Sequence, residues 1–198
     1  MSDMNEPQIP RLSVEQVRRD LVVLACSERT FAERASDSKK IGRTISPHWR
    51  LAGMVGVLVV EVGEQLIWVD DEMWSSSGIK EDSADLAVAN LRRKTPTPLL
   101  TTRMHPDHAV FIIGEDDGLG SGRVILHDLF APLAKLLGKA SLLVRVIQTG
   151  LVVCCPNTPG DMAFVDEIVS KAENLPGFVG GRWLAWLASS WAEIEIVP

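Results

Sequence analysis

An α+β fold is predicted, two layers deep, with an antiparallel sheet built of hairpins alternating with helices. Three observations predict it. Runs rich in β-branched residues come in pairs: 54–62 with 65–69, 108–113 with 123–126, and 141–147 with 151–155. The links within each pair are short, which suits antiparallel pairing and forbids a parallel crossover. Segments with helical spacing lie between the pairs and would cover one face of the sheet.

Residues 1–12 read as a mobile tail with two prolines. Ser13-Val14-Glu15-Gln16 fits a capping box, and Val14, Val17, Leu21 and Leu24 follow at helical spacing. A first helix is therefore expected to about Cys26. Residues 28–40 are polar and of mixed charge, and either extend that helix or form a loop.

The first hairpin turns at Gly63-Glu64. Asp70-Asp71-Glu72 suits the positive end of a short helical turn that Gly78 ends. A helix over 81–94 is stopped by Pro96 and Pro98. The second hairpin carries the acidic, glycine-rich stretch 115–122 at its tip.

A helix over 128–137 follows, with Asp128 as its N-cap and Gly138 as its left-handed stop. The third hairpin turns at Gln148-Thr149-Gly150. A helix over 161–173 has Phe164, Val165, Ile168 and Val169 on its apolar face. Pro176, Gly177, Gly180 and Gly181 read as a flexible joint. A helix over 182–191 would then set Trp183, Trp186, Leu187 and Trp191 on one broad face, and 193–197 alternates as an edge strand would. The expected organisation is the tail, a single domain over 13–176, and an appended segment over 177–198.

The 198 residues carry a net charge of −6, with a pI near 5.2. Such an acidic chain is a poor general binder of nucleic acid or of an anionic membrane. Cys26, Cys154 and Cys155 are too few for a disulfide framework, and their apolar flanks suit buried, reduced thiols. Leu21 to Ala25, ahead of Cys26, imitates a lipoprotein box but is shorter than a signal core of about 7–15 residues. The cytoplasm is the expected compartment.

Three stretches resemble the YtpQ-like family, a bacterial domain of unknown function. They are Leu66-Ile67-Trp68-Val69 leading through Trp74 and Gly78 to Asp85-Leu86-Ala87-Val88-Ala89-Asn90-Leu91, then Asp117-Gly118 through Arg123-Val124-Ile125-Leu126 to Leu129-Phe130, and Leu136-Leu137-Gly138 followed by Leu142-Leu143-Val144. The resemblance covers roughly 57–170. It departs at Ile147-Gln148-Thr149-Gly150, where the family tends to carry a Pro-Ser-Arg-Asp-like turn. It implies an α+β fold and no activity.

His105, Asp107, His108 and His127 form the one candidate metal cluster, but no His-Glu-x-x-His or Cys-x-x-Cys element accompanies them. The acidic run 115–117 lacks the spacing of a calcium loop. Gly118-Leu119-Gly120-Ser121-Gly122 lacks the third glycine and following helix of a dinucleotide site, and reads as a flexible turn. Cys154-Cys155 has no base nearby in sequence, and Arg92-Arg93-Lys94 suits a helix C-terminus. No catalytic, cofactor-binding or metal-binding residue is assigned. The expected function is a non-enzymatic protein-interaction module, acting on a protein partner or by self-association through Trp183, Trp186, Leu187 and Trp191. The alternative is a metal-assisted hydrolase using His105, His108 and His127.

Overall fold

The computed structural model describes residues 12–79, 82–96, 101–113, 117–188 and 190–193. Residues 1–11 of the expected tail, and the part of the expected edge strand beyond Glu193, lie outside these. Ser13 caps α1 (Val14–Asp20) by accepting the Gln16 N–H. The helix ends there rather than near Cys26. Leu21–Ser27 is strand β1, antiparallel to β3 (Met54–Val62) from Leu21↔Val60 to Ser27↔Met54. The reason is that Leu-Val-Val-Leu-Ala-Cys is apolar at every position. It suits a strand buried on both faces better than a helix with one polar side.

Ser27 then caps α2 (Glu28–Lys40) by accepting the Thr30 N–H. β2 (Trp49–Leu51) and β4 (Gln65–Trp68) pair with the other edge of β3, so the expected hairpin at 63–64 is present. Trp49 lies flat on Gly56, where a Cβ would meet its ring at 2.2 Å. Asp70 caps α3 (Asp71–Ser76), and α4 (Ser83–Arg93) follows.

The second sheet is wholly antiparallel. Its order is β10 (Ser190–Glu193), β9 (Leu184–Leu187), β7 (Ser141–Val146), β8 (Val152–Cys155), β6 (His108–Ile113), β5 (Thr101–His105). The expected β7–β8 hairpin is present; the expected hairpin of 108–113 with 123–126 is not. β6 lies between β5 and β8, while Gly120–Arg123 is a helical turn, α5. A 3-10 turn (His127–Phe130) and α6 (Ala131–Leu136) follow, ended by left-handed Gly138. Asp128 caps nothing; its carboxylate pairs with Arg92 at 2.6 Å. α7 (Pro159–Ala172) is capped by Thr158.

The expected helix over 182–191 is also corrected, because this segment forms β9 and β10. Leu184 and Trp186 belong to one buried cluster, and Trp183 and Ala185 to another. That alternation is a strand's, and a short apolar run satisfies either period. The glycine joint is pinned, not flexible. Val179 and Gly181 donate their N–H groups to Ile147 and Val146.

The fold is thus α+β with antiparallel sheets, distributed over two sheets instead of one. One buried cluster joins β1 and β3 to a face of the second sheet, with α4 and α6 contributing. The other lies between the opposite face and α7. The second sheet is therefore covered on both faces, which is why β7 and β8 are apolar at nearly every position.

Candidate functional site

The four residues expected to form an interface are divided between the two faces of the β9–β10 hairpin. Trp183 is 3% exposed on the α7 side, with the Arg145 guanidinium 5.3 Å above its ring. Arg145 is held there by an ion pair with Asp166 and by donating to the Gly181 carbonyl at 3.1 Å. Trp186 is 4% exposed on the opposite face, directly across from Trp191. Its indole N–H donates to the His127 carbonyl at 2.8 Å, and its ring stacks on the His127 imidazole at 5.2 Å. Trp191 meets His127 and Phe130 edge-on, at 5.4 and 5.1 Å. Only Leu187 is exposed, at 39%. Trp183 and Trp186 are therefore part of this chain's own core. The rings of Trp186, His127 and Phe130 pack together behind Trp191 of the hairpin's last strand.

The backbone of that strand is informative. Two residues separate Leu187 from Ser190, so this is the closing hydrogen-bonded pair of the hairpin. Ala192 and Ala185 are the next bonded pair. The N–H groups of Trp191 and Glu193 therefore point away from β9. Among the described residues β10 ends the sheet and pairs with a strand on one side only; the Ser190 carbonyl also lies 3.1 Å from His127 Nε2.

His105 and His108 lie together, with ring centroids 5.4 Å apart, but His127 does not join them. His108 stacks on Phe164 at 4.4 Å, and its Nδ1 lies 3.4 Å from Asp161. His105 joins the same aromatic group on the α7 side, 3.8 Å from Asp107. His127 sits with Trp186 and Trp191 on the other face of the sheet. Among the described residues no group of three His, Cys, Asp or Glu side chains is placed to hold a metal ion. Asp161 is itself committed, accepting from the Ala109 N–H at 2.9 Å and the Thr158 hydroxyl at 2.6 Å.

The cysteines are free and buried. Burial pushes the Cys26 and Cys155 thiols up to about 12, and the Cys154 thiol well above its ordinary value. None is a thiolate at neutral pH.

The glycine-rich stretch is a buried wedge instead of a solvent tip; residues 114–116, at the acidic end, lie outside the described residues. It closes the free edge of β1. The Ser121 hydroxyl accepts from the Ala25 N–H and donates to the Ala25 carbonyl, both at 3.1 Å. Gly122 lies against Val23, whose carbonyl would be 2.0 Å from a Cβ. Asn90 of α4 donates to the Leu21 carbonyl at 2.9 Å. Arg123, 1% exposed, pairs with Asp117 and donates to Thr95 Oγ1 at 3.1 Å. Sequence reading missed this cluster. Its signal was an arginine straight after a glycine-rich run, with Asp117 six residues before it.

Comparison with family models, with curated proteins and with solved structures returned no match to this chain.

Proposed function

We propose that the protein is a cytoplasmic, non-enzymatic interaction module that receives an extended segment of a partner protein along the outer edge of β10. The observation that carries this reading is the aromatic-backed β10, whose outer backbone edge has no strand partner among the described residues. Main-chain pairing at such an edge supplies affinity without catalytic groups. The opposite end of the sheet is less suited. β5 has a register irregularity between Arg103 and His105 and carries the exposed Arg103, features that discourage pairing. The edge of β1 is already closed by Ser121 and Asn90. The YtpQ-like resemblance belongs to this proposal as a matter of fold and adds no activity to it. Among the described residues no helix is long and apolar enough to cross a membrane.

The test is a photo-crosslinking residue placed at exposed Ser190 in the full chain in cells, with one at exposed Arg29 on α2 as control. Adducts are expected at position 190, absent at 29 and lost in a Glu193→Pro background, where the outward N–H is removed. Equal adducts at both positions, or adducts unchanged by Glu193→Pro, contradict the proposal.

A further inference from the structure

The imidazole of His127 reaches the β10 main chain from outside the sheet. Its Nε2 lies 3.1 Å from the carbonyl of Ser190, the first residue of β10. The ring is set for this contact by the hairpin itself. It stacks on Trp186 at 5.2 Å, and Trp191 meets it edge-on at 5.4 Å. The His127 carbonyl accepts the Trp186 indole N–H at 2.8 Å. One residue therefore grips β9 with its main chain and β10 with its side chain.

The strength of that grip depends on the proton at Nε2. A neutral imidazole carries one N–H and divides it between two tautomers. With the proton on Nδ1, two acceptors face each other at Ser190. With the proton on Nε2, an ordinary N–H···O=C bond forms. The imidazolium always presents the Nε2–H, and its bond is charge-assisted, roughly twice as strong as the neutral one. A positive ring is also drawn to the face of Trp186. Histidine is the side chain whose ordinary charge change falls between about pH 5 and 8.

The charged groups of the neighbouring elements leave this proton free to act. Asp128, next in the 3-10 turn, is held by Arg92 of α4 at 2.6 and 2.8 Å. Glu193 of β10 pairs with Arg182 at 2.6 Å. Lys135 of α6 is exposed, and β9 carries no charge.

We infer that His127 is the positioning residue of the β10 edge and makes that edge proton-sensitive, acid tightening β10 against the 3-10 turn. The protonated ring holds the closed strand better. Its contribution is complete in acid and is lost as pH rises through the imidazole titration. A strand held firmly receives a partner segment at a lower ordering cost, so the device regulates the edge proposed above and rests on that reading. The two fail separately. Acid tightening without cross-linked adducts at position 190 defeats the reading alone, and adducts without acid tightening defeat the regulation alone.

The experiment follows amide exchange at Ser190 in the full chain at about pH 5.5 and about pH 8, spanning the histidine range. Rates are corrected for intrinsic pH dependence and referred to Val144 in the middle of the sheet. Protection of Ser190 is expected to be about fivefold greater in acid, the increment of a charge-assisted over a neutral hydrogen bond. His127→Gln keeps an N–H donor that does not titrate, and should lose the difference. His127→Phe keeps a ring against the tryptophans without a donor, and should lower protection at both pH values. Imidazole nitrogen shifts read the same proton in the unaltered protein, and should show Nε2 protonated in acid. Equal protection at both pH values, a difference that survives in His127→Gln, or a His127 that stays neutral in acid overturns the inference.

Discussion

Arg123 is the largest of the fully buried side chains, and its charge is answered by Asp117, by Thr95 Oγ1 and by the Lys94 carbonyl. Removing the carboxylate leaves the buried guanidinium alone. Asp117→Ala is expected to destabilise the protein by about 3–5 kcal/mol in urea unfolding, and a loss under 1 kcal/mol would show that Thr95 and the Lys94 carbonyl answer the Arg123 charge without it. Burial pushes the Asp117 carboxyl up, but the Arg123 guanidinium and the Leu119 N–H outweigh it and hold it below the ordinary range. A depressed folded value means the unfolded chain takes up the proton first. The contribution is therefore complete above the unfolded value of about 4 and is lost as pH falls through the folded one. Urea midpoints are expected to hold from pH 7 to about 5 and fall below about 4, with a shallower fall in Asp117→Asn. A midpoint that rises on acidification contradicts this. The thiols offer a separate check. A disulfide reagent should label none of the three cysteines in the native state and all three after denaturation; rapid native labelling would refute their burial.

At the scale of the element, β9 lies inside the second sheet, between β10 and β7, and contributes to both buried clusters. Truncation before Gly180 is expected to abolish the cooperative unfolding transition, measured by circular dichroism. A truncated chain that still melts cooperatively would make β9 and β10 dispensable. Elements whose partner is next in sequence were legible. The β3–β4 and β7–β8 hairpins carry their turns between runs rich in β-branched residues, and α7 shows its cap and its apolar stripe. Elements defined by distant partners were not. β1 is all apolar and takes its identity from β3, thirty or so residues later. β9 reads equally well on a helical wheel, and only pairing with β7 assigns Trp183 and Trp186 to opposite faces. The glycines at 120 and 122 looked like freedom, whereas they mark contact with Gly150 and Val23 too close for a Cβ. The candidate interface was legible as a segment and illegible as a surface, because alternation buries its tryptophans and leaves its backbone as the exposed feature.

At the scale of the whole molecule, the second sheet is covered on one face by the first sheet with its helices and on the other by α7. What such a sheet leaves available is its ends. β5 is irregular and charged, and β10 is braced from behind by Trp186, His127 and Phe130. The interaction reading therefore depends on β10 presenting a free backbone edge in the isolated chain. Residue-resolved hydrogen exchange on the purified monomer tests this most directly. The amides of Ser190 and Ala192, bonded to β9, should exchange slowly, and those of Trp191 and Glu193 orders of magnitude faster. Equal protection of all four would mean that the edge is already covered, and would contradict the account.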